Sequence, residues 1–285
     1  MDHGSMVSGV FRGAGLTLPR AVSVRLGDGI NAVFDQKTLT FAAAWKGELV
    51  EWSDVRRGIM RGIPMGGKET VPLKRAPKPA DDARYLGFHR TGQRVVFAYL
   101  ENGETRYRSA EVRDGAVIET VSSGAPGMGD AEWPERLEAR GERGKGQPYA
   151  IDTLTLPYAN PWNALFFVSG IDFLAENRIA ICTIHGDVWI CDVSSDDLAK
   201  LTWKRFAAGL HQPLGLKVAD GVIHVMCRDQ LIALHDRNGD DEADFYACVS
   251  QAHVASPGAH DFITGLQRDD QGRWYFASGK QGVCR

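Results

Sequence analysis

Apolar residues recur along this chain in short runs, each cut off by Gly, Asn or Asp, and the runs fall into repeated units. Around Gly170 the chain reads GIDFLAENRIAICTIHGDVWICDV, around Gly215 GLKVADGVIHVMCRDQLIALHD, and around Gly265 GLQRDDQGRWYFASGKQGVCR. Each unit opens on Gly and an aliphatic residue, then gives a strand, a polar turn, a second strand, a polar loop and a third strand. The units start 45 and 50 residues apart. The stretch from Gly29 (GINAVFDQKTLTFAAAWKGELVEW) has the same shape, and the one from Tyr85 is a looser copy. Leu201–Ala207 and Asp244–Ser250 supply fourth strands. Short strands of alternating or continuous apolarity with such punctuation predict antiparallel sheet. A four-stranded repeat of this length predicts an all-β fold, a β-propeller of five or six blades.

Two segments interrupt the pattern. Residues 60–82 are rich in Gly, Pro and Lys, and residues 122–147 are rich in Gly and charge; both read as insertions at the propeller rim. Within the second, Glu132–Arg140 reads as one or two helical turns. The chain stops just inside the third strand of a unit, so either Leu16–Arg25 closes the ring or the chain is part of a longer protein. Met1–Met6 reads as an appended cloning remnant, leaving residues 7–285 as one domain.

Composition narrows the classes. With 44% hydrophobic and 24% charged residues, the chain matches a globular protein with a large core. A net charge of −3 gives no basis for nucleic acid as a partner, and no run is long enough to span a membrane. The five cysteines are scattered, without a CxxC pair, and read as small apolar strand residues.

Asp236, Asn238, Asp240 and Asp244 fall at alternate positions of an acidic turn around Gly239. Calcium takes six to eight oxygens, which alternate residues of a tight loop can supply. The spacing D-x-N-G-D-x-x-x-D predicts a Ca²⁺ site; an ordinary Asn/Asp/Gly turn is the competing reading. In a propeller the loop would join the third and fourth strands of a blade. That places it opposite the channel mouth, as a structural site.

The loops that reach the mouth carry a different set. His211, His260 and Asp261 precede first strands, whereas His185, Asp187, Arg228, Asp229 and Lys280 lie between second and third strands. Histidines beside carboxylates and cations suit general acid–base work near neutral pH. His185, His211, Arg228, His260 and Asp261 are the catalytic candidates, with Asp187 and Lys280 as cofactor-binding candidates. Asn160 and Asn163 also precede a first strand. His224 and His235 read as structural.

From about Tyr149 onward, the segments DTLTLPYANPWNALFFVSGIDFL, WKRFAAGLHQPLGLKV, RDQLIALHDRNGDDEADFY and GAHDFITGLQRDDQGRWYFASGKQGVCR resemble secreted bacterial sugar-dehydrogenase-like propellers (L-sorbosone or soluble quinoprotein glucose dehydrogenase-like). The resemblance implies pyrroloquinoline quinone with Ca²⁺, a sugar or polyol substrate, and a periplasmic or secreted setting. In those relatives the blade start G-x-R-N-P-x-G-L turns a cation to the cofactor; here Gly209–Leu216 keeps the frame with His211 in place of Arg. There is no CxxCH haem motif.

Three functions follow. One is oxidation of a sugar or polyol, with a mouth histidine taking the hydroxyl proton. The second is calcium-dependent hydrolysis, as by a lactonase, through the mouth His and Asp residues. The third is non-catalytic binding of carbohydrate or protein, with Trp162 and Trp203 as exposed aromatic candidates.

Overall fold

The computed structural model of the chain describes residues 1–52, 62–255, 258 and 261–285. Every regular element among them is a β-strand. Five antiparallel meanders make up the fold. Sheet I comprises Met6–Gly13, Leu16–Gly27, Ile30–Asp35 and Thr40–Lys46, and sheet II Arg84–Thr91, Arg94–Glu101, Glu104–Arg113 and Ala116–Ser122. Sheet III comprises Val168–Ala175, Arg178–Thr183, Val188–Val193 and Leu201–Ala207. Sheet IV follows as Gly215–Ala219, Val222–Met226, Leu231–His235 and Phe245–Ser250, and sheet V as Ile263–Arg268, Trp274–Ser278 and Gly282–Cys284. The meanders are closed by local chemistry. At Asn102-Gly103 and Asp220-Gly221 both residues have positive φ (50° and 78°, 53° and 75°). That is the two-residue turn whose twist matches paired strands.

The fold is all-β and propeller-like. Sheets III, IV and V follow one another with their first strands in contact, as blades do around an axis. The other two depart from that arrangement. The last strand of sheet IV pairs with the first of sheet II, Tyr246 opposite Phe88, so the two merge into one long sheet. Sheet I packs on sheet II, with the Phe34 and Phe97 rings stacked at 3.8 Å and Phe41 edge-on to Phe97 at 5.6 Å. One apolar core draws Phe34, Phe97, Val188 and Ile232 from four sheets, each full burial stabilising by roughly 1.5–3 kcal/mol.

Three sequence expectations are corrected. Leu16–Gly27 pairs within sheet I, with Met6–Gly13 and Ile30–Asp35, and does not close a ring. The turn at Ala14-Gly15 makes that hairpin local, whereas closure onto sheet V would carry a much larger loop entropy. Residues 62–74 are a strap: Ile63–Pro64 and Glu69–Thr70 extend the two edges of sheet I, and Leu73–Lys74 joins sheet II. Residues 53–61, at the start of that expected insertion, lie outside the described set. Glu132–Arg140 is not helical, since Arg136–Ala139 pairs with Leu201–Lys204 as a further strand of sheet III. Its polar–apolar alternation sets Leu137 and Ala139 against the apolar layer around Trp203.

Residues 1–6 are built into the fold. Asp2 donates its backbone N–H to Trp162 O at 2.9 Å, Ser5 O accepts from Arg25 N at 2.9 Å, and His3 and Met6 are buried. No helix among the described residues is long and apolar enough to cross a membrane.

Candidate functional site

Charged residues from several elements meet in the interior where sheets II, III and IV join. Arg90 of sheet II pairs with Glu132 and, at 3.0 Å, with Glu242. Lys204 of sheet III lies 3.5 Å from Glu242 and donates to Trp133 O. Glu242 also accepts the backbone N–H groups of Glu132 and Trp133, both at 2.9 Å. Two guanidiniums lie over the Trp133 ring, Arg90 at 4.4 Å and Arg205 at 4.7 Å. Burial of such charges is tolerable only when each is paired and hydrogen-bonded, as here.

One member of this cluster reaches solvent space. Glu132 lines an open cleft of about 930 Å³. Its walls include Asp2, Gly4 and Ser5 from the first residues, Arg25 from sheet I, Arg94 and Glu111 from sheet II, and Trp162 and Asn163. Ser5 Oγ and Arg90 both bond to Oε2 of Glu132. Among the described residues Oε1 accepts no hydrogen bond. Burial raises the Glu132 pKa above the usual glutamate range; Arg90 opposes that and Glu242 adds to it. A carboxyl held in this way at a cleft wall is a general acid–base candidate. No sequence motif marks it, because Glu132 acquires its setting from three distant segments. The only local signal was an acid beside Trp133-Pro134 in a long insertion.

The expected mouth residues come together in part, but beneath a strand. Met6–Gly13 lies across the loops that would form the mouth: Ser8 N donates to Gly209 O at 2.7 Å, and Ser8 Oγ to Asp229 at 3.2 Å. Gly9 sits on the His211 ring so closely that a Cβ there would lie 2.6 Å from it. His211 is fully buried, and neither ring nitrogen has a hydrogen-bond partner among the described residues. Burial, with Arg228 nearby, pushes its pKa down to about 3, so it stays a neutral imidazole. Arg228 donates to Gln212 Oε1 at 2.9 Å and is buried beside it. Asp229 is fully buried, and burial raises its pKa to about 6.

Asp187, also fully buried, is paired to Arg205 at 2.7 Å; burial raises its pKa against that pull. His185 lies in the same interior, close enough to His3 to help lower its pKa to about 3, after burial and Arg205. Asp261 and Lys280 pair at 2.8 Å nearer the surface. His260 lies outside the described residues. Asn160 closes its own turn, accepting from Ala164 N at 2.8 Å. Trp162 and Trp203 are not exposed: Trp203 is 1% accessible and donates to Thr155 O at 3.0 Å, and Trp162, which lines the cleft, is 7% accessible. His224 and His235 sit in strands, ringed by Trp274 and Phe245 respectively.

The acidic loop joins the third and fourth strands of sheet IV, as its place in the repeat predicted. Its oxygens are engaged by its own backbone. Asp236 accepts from Gly239 N at 2.7 Å and Asp241 N at 2.9 Å, Asn238 from Asp240 N at 3.1 Å, Asp240 from Glu242 N at 2.8 Å, and Asp244 from Arg237 N at 2.8 Å. Among the described residues no three His, Cys, Asp or Glu side chains converge as a metal would require. As placed, these residues do not fit a calcium cage; they form stacked Asx turns. The neighbours in the loop make the long-range contacts. Asp241 pairs with Arg178 and, at 2.5 Å, with Arg136. Burial would raise its pKa, but those two hydrogen bonds bring it below the usual range. Glu242 enters the buried cluster. The loop is structural through Asp241 and Glu242, the two residues outside the calcium pattern.

No protein-family profile and no curated protein matches this chain. Among solved structures it is similar to a provisionally named 6-phosphogluconolactonase of Bacteroides uniformis, at 12% identity and a TM-score of 0.32, over 99% of this chain and 78% of the other. A likeness of that size carries no argument about function.

Proposed function

We propose that the protein takes a small polyhydroxylated molecule into the cleft and opens a lactone of that class by hydrolysis, with Glu132 as the general base. The observation that carries this reading is Glu132 itself, a carboxyl of raised pKa whose Oε2 is pinned and whose Oε1 is unengaged on the cleft wall. Glu132 would take a proton from water as its oxygen bonds to the lactone carbonyl carbon. Arg25 or Arg94, on the same cleft, would stabilise the oxyanion. When the carbonyl re-forms, the ring C–O bond breaks and the leaving oxygen recovers the proton from Glu132, giving a hydroxy acid. The polar walls, with Trp162 among them, suit a sugar-derived ring. The redox alternative has less support, because His211, the residue in the frame that would meet a quinone, lies under Gly9 with no access from the cleft side chains named above.

The test is a panel of five- and six-membered sugar lactones, with acid release followed at constant pH. Wild-type turnover above background, lost about 10²–10⁴-fold in Glu132→Gln, is expected. Absence of turnover across the panel, or full activity in Glu132→Gln, would sink the reading.

A further inference from the structure

The walls of the cleft carry charges of both signs, and the two signs differ in how far they are already used. The carboxylates are engaged. Glu132 holds Arg90 and Ser5 at Oε2, Glu111 pairs with Arg113, and Asp2 accepts the Gly4 N–H at 2.8 Å. The arginines are not. Arg25 of sheet I and Arg94 of sheet II line the cleft as exposed residues, and each makes one hydrogen bond among the described residues. Arg25 Nε donates to Gly4 O at 3.2 Å, and Arg94 Nη2 donates to Ser109 Oγ at 2.8 Å. Neither meets a carboxylate among those residues. A guanidinium has five N–H donors, so most of each fork is unspent.

The two arginines have different neighbours. Arg25 bonds to Gly4, and Gly4 lies against the Glu132 carboxylate: a Cβ there would sit 2.7 Å from Oε1. Arg25 therefore belongs to the end of the cleft that holds Glu132. Arg94 shares the sheet II wall with Glu111, whose charge Arg113 offsets. Its guanidinium is held from behind, because Ser109 is buried and shares a 3.1 Å hydroxyl bond with Thr120. The space agrees with a substrate larger than one ring. At about 930 Å³ the cleft is near the upper end of the ~300–1,000 Å³ of small-molecule sites, and a bare sugar ring would leave much of it unfilled.

We propose, on the basis of the hydrolytic reading above, that the lactone taken by this cleft carries an anionic substituent, a carboxylate or a phosphate. Arg94 receives that group, while Arg25 serves the reacting carbonyl. The planar guanidinium fork matches both kinds of anion, with two parallel N–H···O bonds to either. No internal ion pair has to break first, so an incoming anion displaces only water from Arg94.

The test uses three lactones that share one ring, the first neutral, the second bearing a carboxylate and the third a phosphate, with acid release followed at constant pH. Wild-type kcat/KM is expected to favour a charged lactone over the neutral one by about 10–100-fold, the worth of hydrogen bonds to a charged group. Raising the ionic strength should shrink that preference, because Arg94 is exposed. Arg94→Ala should abolish the preference, chiefly through KM, and Arg94→Lys should keep part of it, both with unchanged circular dichroism. Whichever charged lactone is preferred identifies the group. Equal turnover of all three, or a preference that survives Arg94→Ala, would overturn the assignment. If none of the three turns over, the hydrolytic reading fails by itself, and calorimetric titration with the corresponding lactams, which resist hydrolysis, decides about Arg94. Tighter binding of a charged lactam, lost in Arg94→Ala, would keep the anion site, and equal binding of all three would overturn it.

Discussion

Asp229 and His211 lie under the same strand, Met6–Gly13, yet they titrate in opposite senses. Asp229 is raised by burial from 3.8 to about 6. Its contribution to stability is therefore present below about pH 4 and lost as pH rises through 6, by roughly 3 kcal/mol at ~1.4 kcal/mol per unit. Asp229→Asn should melt higher than wild type at pH 8 and no higher at pH 4; a difference independent of pH would show that the carboxyl is not titrating there. His211 is lowered from 6.5 to about 3, again by burial first. Its contribution is full above pH 6.5 and is lost as pH falls towards 3. His211→Leu, which strands no hydrogen bond because both ring nitrogens lack partners, should flatten the acid decline by about 1.4 kcal/mol per pH unit between 6 and 4. Urea melts across that range decide it, and an unchanged slope would contradict the placement. The sequence put both residues in loops correctly. What it could not show was the strand laid over them, since a polar residue in a repeat loop reads as exposed until its cover is known.

The loop between Leu231–His235 and Phe245–Ser250 shows what is legible at the scale of an element and what is not. Its position in the repeat was plain, because strand, turn and strand follow a local apolar–polar rhythm. Its chemistry was not, because Asp241 and Glu242 are read only against Arg136, Arg178, Arg90 and Lys204, all distant in sequence. Among the described residues, Glu242→Ala removes the one carboxylate paired with buried Lys204 and one of the two paired with buried Arg90, and should cost about 3–5 kcal/mol. Asp240→Ala removes the hydrogen bonds its carboxylate accepts from Glu242 N and Asn238 Nδ2 in the turn and should cost only about 1 kcal/mol. Thermal melts of the two variants should separate by several degrees, and equal losses would contradict the ranking. Since the loop oxygens are held by backbone N–H groups, a chelator should leave the melting temperature unchanged. A fall of several degrees that added Ca²⁺ reverses would return the loop to the calcium reading.

At the scale of the molecule, the repeat was legible through Gly170, Gly215 and Gly265 and through hairpin turns such as Asn102-Gly103. The assembly of the sheets was not. Nothing near Phe88 or Tyr246 announces that they will pair across more than 150 residues, and without that pairing the seam that holds Glu132 cannot be foreseen. The cleft is a product of the whole chain, with walls from the first residues, sheets I and II, and the segment around Trp162. The measurement that bears most directly on it is the pH dependence of kcat/KM for lactone hydrolysis, in wild type and in Glu132→Gln. Because burial raises the Glu132 pKa, activity should rise with pH through an inflection above the ordinary glutamate range, and Glu132→Gln should lose both the inflection and the turnover. The same inflection persisting in Glu132→Gln, with turnover intact, would contradict the account.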